Sequence, residues 1–253
     1  GAGPGSIPRQ AAELFVGGLR GALQGTPCGF HSIRCALSLD SLGHVQPIQP
    51  GAVNLMTAGR GIVHSERSPE EDRTHPLELS GLQTWVALPE AHEEDAPSFS
   101  HTGDGELPRY SGEGIDLNLV IGSFSGLKSP VPMLSETIYA DLHLAAGAKF
   151  PFDPQWEERA LYILEGSVDI AGDVFGPEQL LIFRPEDAIS LKAGPQGVRV
   201  MIFGGDSMGS KRHIWWNFVS SSKERIEQAK EEWKTGRFDI VPGDEEDFVP
   251  LPG

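Results

Sequence analysis

Cysteine, positive charge and long apolar runs are all scarce in this chain. Only Cys28 and Cys35 occur among 253 residues. They lie in an irregular stretch, so no disulfide framework is expected and a reducing compartment is the expected setting. Lys and Arg number 20 against 36 Asp and Glu, a formal net charge of −16. A phosphate backbone would be repelled, and no run of Lys/Arg offers a local basic patch, which argues against direct nucleic-acid binding. There is no run of about 18 apolar residues and no basic-then-apolar leader. Neither a membrane span nor a secretory signal is expected, and the expected location is cytoplasmic.

Turn chemistry is abundant instead. The 31 Gly and 20 Pro accompany 39% hydrophobic and 22% charged residues, a globular composition biased toward many short strands. At roughly 100–200 residues per domain, the length allows one large domain or two small ones. The opening GAGPGSIPRQ supports no fold argument. Ala/Leu propensity predicts a short helix over 11–23, weakened by Gly17, Gly18 and Gly21 at about 1 kcal/mol each relative to Ala. From Asp40, short apolar pieces alternate with Gly and Pro as in a β-meander. Strand-like segments follow at 82–89, 115–124, 135–144, 159–172, 178–185 and 198–205. Between 89 and 114 lies an acidic loop with little periodicity. SSKERIEQAKEEWKTGRF (221–238) reads as one amphipathic helix, with Ser221 and Glu224 as a capping box and Ile226, Ala229 and Trp233 as its apolar stripe.

The stretch that carries chemistry is MTAGRGIVHSE (56–66). If Gly59 and Gly61 make a tight turn and Ile62 begins a strand, His64 and Glu66 project from one face of it. Imidazole and carboxylate then converge, a pairing shared by non-haem iron, manganese, nickel and copper sites. Two ligands alone do not complete such a site. The remaining histidines read as surface or structural groups: His44, His75, His92 and His101 in turns or the acidic loop, His143 and His213 in the second half.

PGAVNLMTAGRGIVHSE, LQTWVALP, VIGSFSGLKSPV and IWWNFVSSSKERIEQAKEEWKTGRF, in that order, resemble the pirin family of two-domain cupins. The resemblance runs from about Asp40 to the C-terminus. It implies an all-β bicupin: two cupin-type antiparallel β-barrels with a C-terminal amphipathic helix. The implied division is an atypical N-terminal segment over 1–39, the rest of the N-terminal cupin over 40–125, and a C-terminal cupin with the terminal helix over 126–253. It also implies a divalent metal, iron first, in the N-terminal barrel. The family ligands are three His and one Glu, matched here by His64 and Glu66; the other two come from an upstream His-Pro-His strand. No His-x-His stands there, and His31 is the upstream imidazole left as a third candidate ligand. Too few residues precede Asp40 for the opening strands, so that barrel is expected to be open on one side with 1–39 irregular.

The function implied is a quercetin 2,3-dioxygenase-type oxygenase acting on a flavonol, with Glu66 as general base. The alternatives are an iron-dependent regulatory or transcriptional cofactor that docks a protein partner without turnover, and an inactive remnant lacking half its ligands. In the second barrel the positions expected for metal-ligating histidines hold Phe150, Phe152 and Trp156, which predicts an apolar interior; Glu157 and Glu158 read as rim charges.

Overall fold

Period-two alternation closed by Gly or Pro produces twenty strands and one α-helix among the described residues of the computed structural model. These residues are 7–9 and 12–17, whose backbone pairing is described, and 37–67, 81–152 and 154–253. The all-β expectation holds, and no helix among them is long and apolar enough to cross a membrane. Residues 1–104 with 210–253 form one compact unit, and residues 105–209 form the other.

The first unit contains two four-stranded antiparallel sheets. One runs β1 (Ile7–Arg9), β6 (Ile62–Arg67), β3 (Leu37–Asp40), β4 (Val45–Pro47); the other runs β7 (Gly81–Val86), β2 (Ala12–Gly17), β5 (Val53–Thr57), β8 (Ser98–Thr102). The two opening strands correct two expectations. Residues 12–17 are not helical, and residues 1–39 do not leave this unit without its opening strands. The reason is tertiary. β2 is paired on both edges, with β5 and with β7, so its backbone groups are satisfied by neighbours far away in sequence and the weak Ala/Leu helix preference is overridden.

The chain returns to this unit at its end. The hairpin β19 (His213–Trp215) and β20 (Phe218–Ser220) leads into α1 (Lys223–Lys234). Ile226, Ala229 and Trp233 are the buried residues of α1, and they pack with Val63, Phe218 and Val241. The expected stripe is correct, and by its contacts the helix packs within the unit of residues 1–104 and 210–253. The long-range cause is explicit. The Arg67 guanidinium at the end of β6 bonds Asp244 through Nε at 2.7 Å and Nη2 at 2.5 Å.

The second unit is an eight-stranded antiparallel sheet ordered β16 (Asp173–Phe175), β15 (Glu158–Ile170), β18 (Ile189–Gly205), β13 (Thr137–Leu144), β10 (Ile115–Ile121), β9 (Arg109–Gly112). β14 (Lys149–Phe152) also pairs with β18, β17 (Leu180–Phe183) with β15, and β11 (Ser123–Phe124) with β12 (Leu127–Lys128). This compact unit begins at Gly105. β15 pairs with β16, β17 and β18, and β18 with β13, β14 and β15, and the ladder the two share shifts register between Ile163 and Glu165 and between Gly166 and Val168. There Gly166 and Gly197 have φ of +76° and +83°, and a Cβ on Gly166 would meet the Gly197 carbonyl oxygen at 2.1 Å. Only glycine fits there. Phe150, Phe152 and Trp156 are buried among Leu142, Leu161, Ile163 and Val200, so this interior is apolar as expected.

Candidate functional site

β6 has two faces with different tasks. Val63, Ser65 and Arg67 alternate on one face, where Val63 joins the helix cluster and Arg67 the tail. Ile62, His64 and Glu66 alternate on the other. Ile62 packs with Met56, Ala58 and Phe99, while His64, 3% exposed, and the half-buried Glu66 line one cavity with Ser38, Ile48, Asn54, Met56 and Phe99. The turn feeding β6 explains its direction. The Gly61 N–H donates to Ala58, the Arg60 N–H donates to Asp95 at 2.9 Å, and Gly59 at φ +51° sits where a Cβ would meet the Asp95 carbonyl oxygen at 2.1 Å. The glycines of MTAGRG therefore set the strand that carries the imidazole and carboxylate.

The neighbouring strands complete the wall. β3 lies beside β6 with Ser38 opposite Glu66 and Asp40 opposite His64. Asp40 is buried, and its carboxylate accepts the Leu42 and His44 N–H groups and meets His44 Nδ1 at 2.8 Å, which commits it to its own turn. His44 in turn stacks on the cavity wall at Phe99, ring centroids 5.2 Å apart. On the facing sheet the Asn54 amide oxygen lies 2.6 Å from His101 Nδ1. His44 and His101 are exposed, as expected of surface groups, and they also brace the wall. Nothing in their spacing signalled it, because both contacts depend on strand register. Gln83 on β7 donates to Glu66 Oε1 at 3.4 Å.

The structure therefore brings His64 and Glu66 together. On the other edge of β6, β1 reads Ile-Pro-Arg with Ile7 opposite His64, so this strand supplies no imidazole. His31 and His75 lie outside the described residues. Among the described residues no group of three or more His, Cys, Asp or Glu is placed to hold a metal ion. The donor chemistry at the cavity suits a divalent cation, but one imidazole and one carboxylate do not fit the four-ligand centre that the resemblance implies. The cavity volume is about 10 Å³, room for about one water-sized sphere.

Two β-sheet units with an imidazole–carboxylate pair inside the first define a bicupin. Family comparison agrees: residues 37–86 match the family model described as Pirin, and residues 139–239 match the pirin C-terminal cupin domain. The chain is 44% identical over 214 residues to a pirin-like protein of Caulobacter vibrioides, covering 84% of this chain and 73% of that one. The crystal structure of a quercetin 2,3-dioxygenase from Acinetobacter baumannii superposes with a TM-score of 0.81 at 25% identity, covering 98% of this chain and 78% of that chain. A bacterial pirin from Escherichia coli in complex with nickel(II) shares the fold, with a TM-score of 0.57 at 21% identity over 81% of this chain and 76% of that one. The protein belongs to the pirin family.

Proposed function

We propose that the protein is a divalent-metal-binding pirin of the quercetin 2,3-dioxygenase type, with His64 and Glu66 as its ligands and iron as the first metal to test. The observation that supports this reading is the placement of both side chains on one face of β6, lining the same cavity. Glu66, the less buried of the two, is the group placed to accept a flavonol hydroxyl proton. Retention of metal is weak, because loss of primary ligands costs more than the roughly 10–100-fold that follows loss of groups hydrogen-bonded to them. The cavity volume favours a second reading. About 10 Å³ holds an ion or a water and not a flavonol, so turnover requires Phe99 and Met56 to move aside, whereas metal-dependent docking of a protein partner does not.

Metal content after loading with Fe(II) or Ni(II) and gel filtration, followed by quercetin consumption, separates these readings. The expected result is less than one metal per chain and slow turnover, both abolished by His64→Ala. Metal without turnover supports the regulatory module. Neither metal nor turnover supports an inactive remnant, and turnover that survives His64→Ala places the chemistry elsewhere.

A further inference from the structure

Far from the His64–Glu66 cavity in function, the end of the chain builds an apolar cleft of about 260 Å³ within the first unit. Trp233, Phe238 and Val241 form its floor. Trp233 is fixed there, since its indole N–H donates to the Val249 carbonyl at 2.9 Å and its ring packs on Phe238 and Phe248. Ile240 and Phe248 stand at the edge with 64% and 62% of their surface exposed, among the largest exposures of apolar side chains in the described residues. Exposed apolar side chains grouped around a cleft mark an interaction site more often than scattered ones do.

The rim has one sign. Asp239, Asp244, Glu245 and Asp247 all line the cleft, and the exposed Glu246 lies between them in sequence. Arg67 neutralises Asp244 and reaches Asp247, and Lys234, the cation lining the cleft, is paired with Glu231. Asp239, Glu245 and Glu246 have no ion pair among the described residues. An apolar floor within an acidic ring calls for an apolar group carried between cations. The volume lies below the roughly 300–1,000 Å³ of small-molecule sites, and suits one large side chain instead.

We propose that this cleft docks a cationic segment of a partner protein, seating one large apolar side chain on Trp233 and Phe238 while flanking Lys or Arg side chains meet Asp239 and Glu245. A second copy of this chain is a poorer occupant, because it would bring another acidic rim against the first, and an anionic lipid surface would be repelled in the same way. The site is independent of metal binding at His64 and Glu66.

Fluorescence anisotropy tests the proposal with the full chain and a labelled peptide that carries one Leu flanked on each side by two Arg. Saturable binding is expected. It should weaken by at least about tenfold with Phe248→Ser, with the Glu245→Lys chain, and with a peptide whose Leu is replaced by Ser. Raising ionic strength from about 0.05 M to about 0.5 M should weaken it severalfold, since the rim charges are exposed. Circular dichroism checks that each variant is folded, and Glu245→Lys serves if Phe248→Ser is not. Equal binding of the Leu and Ser peptides would overturn the proposal by showing diffuse attraction to the net charge. Absence of binding, or a dimer in size-exclusion chromatography that Phe248→Ser dissociates, would overturn it as well.

Discussion

The interiors of the two units differ in kind. In the second, Phe150, Phe152, Trp156 and Leu161 belong to one apolar cluster to which β15 contributes Leu161, Ile163 and Val168 and β18 contributes Leu191, Val198, Val200 and Ile202. Its one buried charge among the described residues, Arg159, gives its guanidinium N–H groups to the carbonyl oxygens of Phe152, Arg184 and Asp187. In the first, Ser38, Asp40, Asn54, His64 and Ser65 are all buried, and the apolar residues fall into smaller groups around them. Buried polar groups cost about 1–3 kcal/mol each where their bonds are left unmade. The same fold has thus been filled in two ways: one interior is packed for stability, and the other brings Ser38, Asn54 and His64 to one cavity, which is where chemistry or ligand binding has to be sought.

The largest effect that could break this contrast is truncation in the packed interior. Phe152 is fully buried and touches Phe124 and Phe183 edge-on. Phe152→Ala is expected to cost about 3–5 kcal/mol, read from chemical denaturation followed by tryptophan fluorescence. The metal retention proposed for His64 and Glu66 should be unchanged in the variant that remains folded. A cost below about 1 kcal/mol, or metal lost together with the aromatic ring, would show that the division of labour between the units is not real.

Much of this arrangement was legible in the residues. The spacing of two between His64 and Glu66 forces a common face on any strand, and the turn glycines Gly59 and Gly61 fixed where that strand starts. The stripe Ile226, Ala229, Trp233 follows from helical periodicity alone. What could not be read depends on contacts distant in sequence. β2 looked helical because its own residues favour a helix weakly, and only the ladders to β5 and β7 make it a strand. The membership of the tail was hidden for the same reason, since Arg67 and Asp244 are 177 residues apart. The bracing of the cavity wall by His44 required the register that sets Phe99 beside Met56.

That distant pair supplies the next prediction, and it sharpens the contrast by asking how the polar unit is held. Arg67 and Asp244 are both mostly buried, with 16% and 13% of their side-chain surface exposed. Arg67→Ala removes both guanidinium donors from the mostly buried Asp244 carboxylate and is expected to cost about 1.5–3 kcal/mol. The Arg67 guanidinium, chiefly by hydrogen bonding, holds the Asp244 carboxyl below its ordinary value. The folded state therefore binds this proton less readily than the unfolded state. The pair's contribution is complete above the unfolded value of about 4 and is lost as pH falls through the lower folded value. Thermal melts from pH 7 down to pH 3 should show a shallower acid loss in Arg67→Ala than in the parent chain. Parallel curves would mean that the tail is fastened by its apolar contacts alone.

The smallest expected effect concerns the start of α1. Residues Ser221 and Glu224 were expected to form a capping box. The structure shifts the cap by one residue: Ser222, in extended geometry, accepts the Arg225 N–H at 3.1 Å, and its hydroxyl donates to Glu224 Oε2 at 3.0 Å. Ser221 is drawn away, because both its N–H and its hydroxyl donate to the Glu93 carboxylate, at 3.0 and 2.9 Å. The two serines thus have separable tasks, one starting the helix and the other tying its entrance to the loop at 89–97. Ser222→Ala should cost about 1 kcal/mol and Ser222→Asp should restore most of it, since an Asp side chain caps equally well and its charge suits the helix N-terminus. Ser221→Ala should respond differently, with no rescue by Asp, because a second carboxylate would face Glu93. Thermal unfolding of five chains, the parent with Ala and Asp at each of the two positions, checks the pattern. Rescue by Asp at 221 rather than at 222 would return the cap to the residue expected from the sequence.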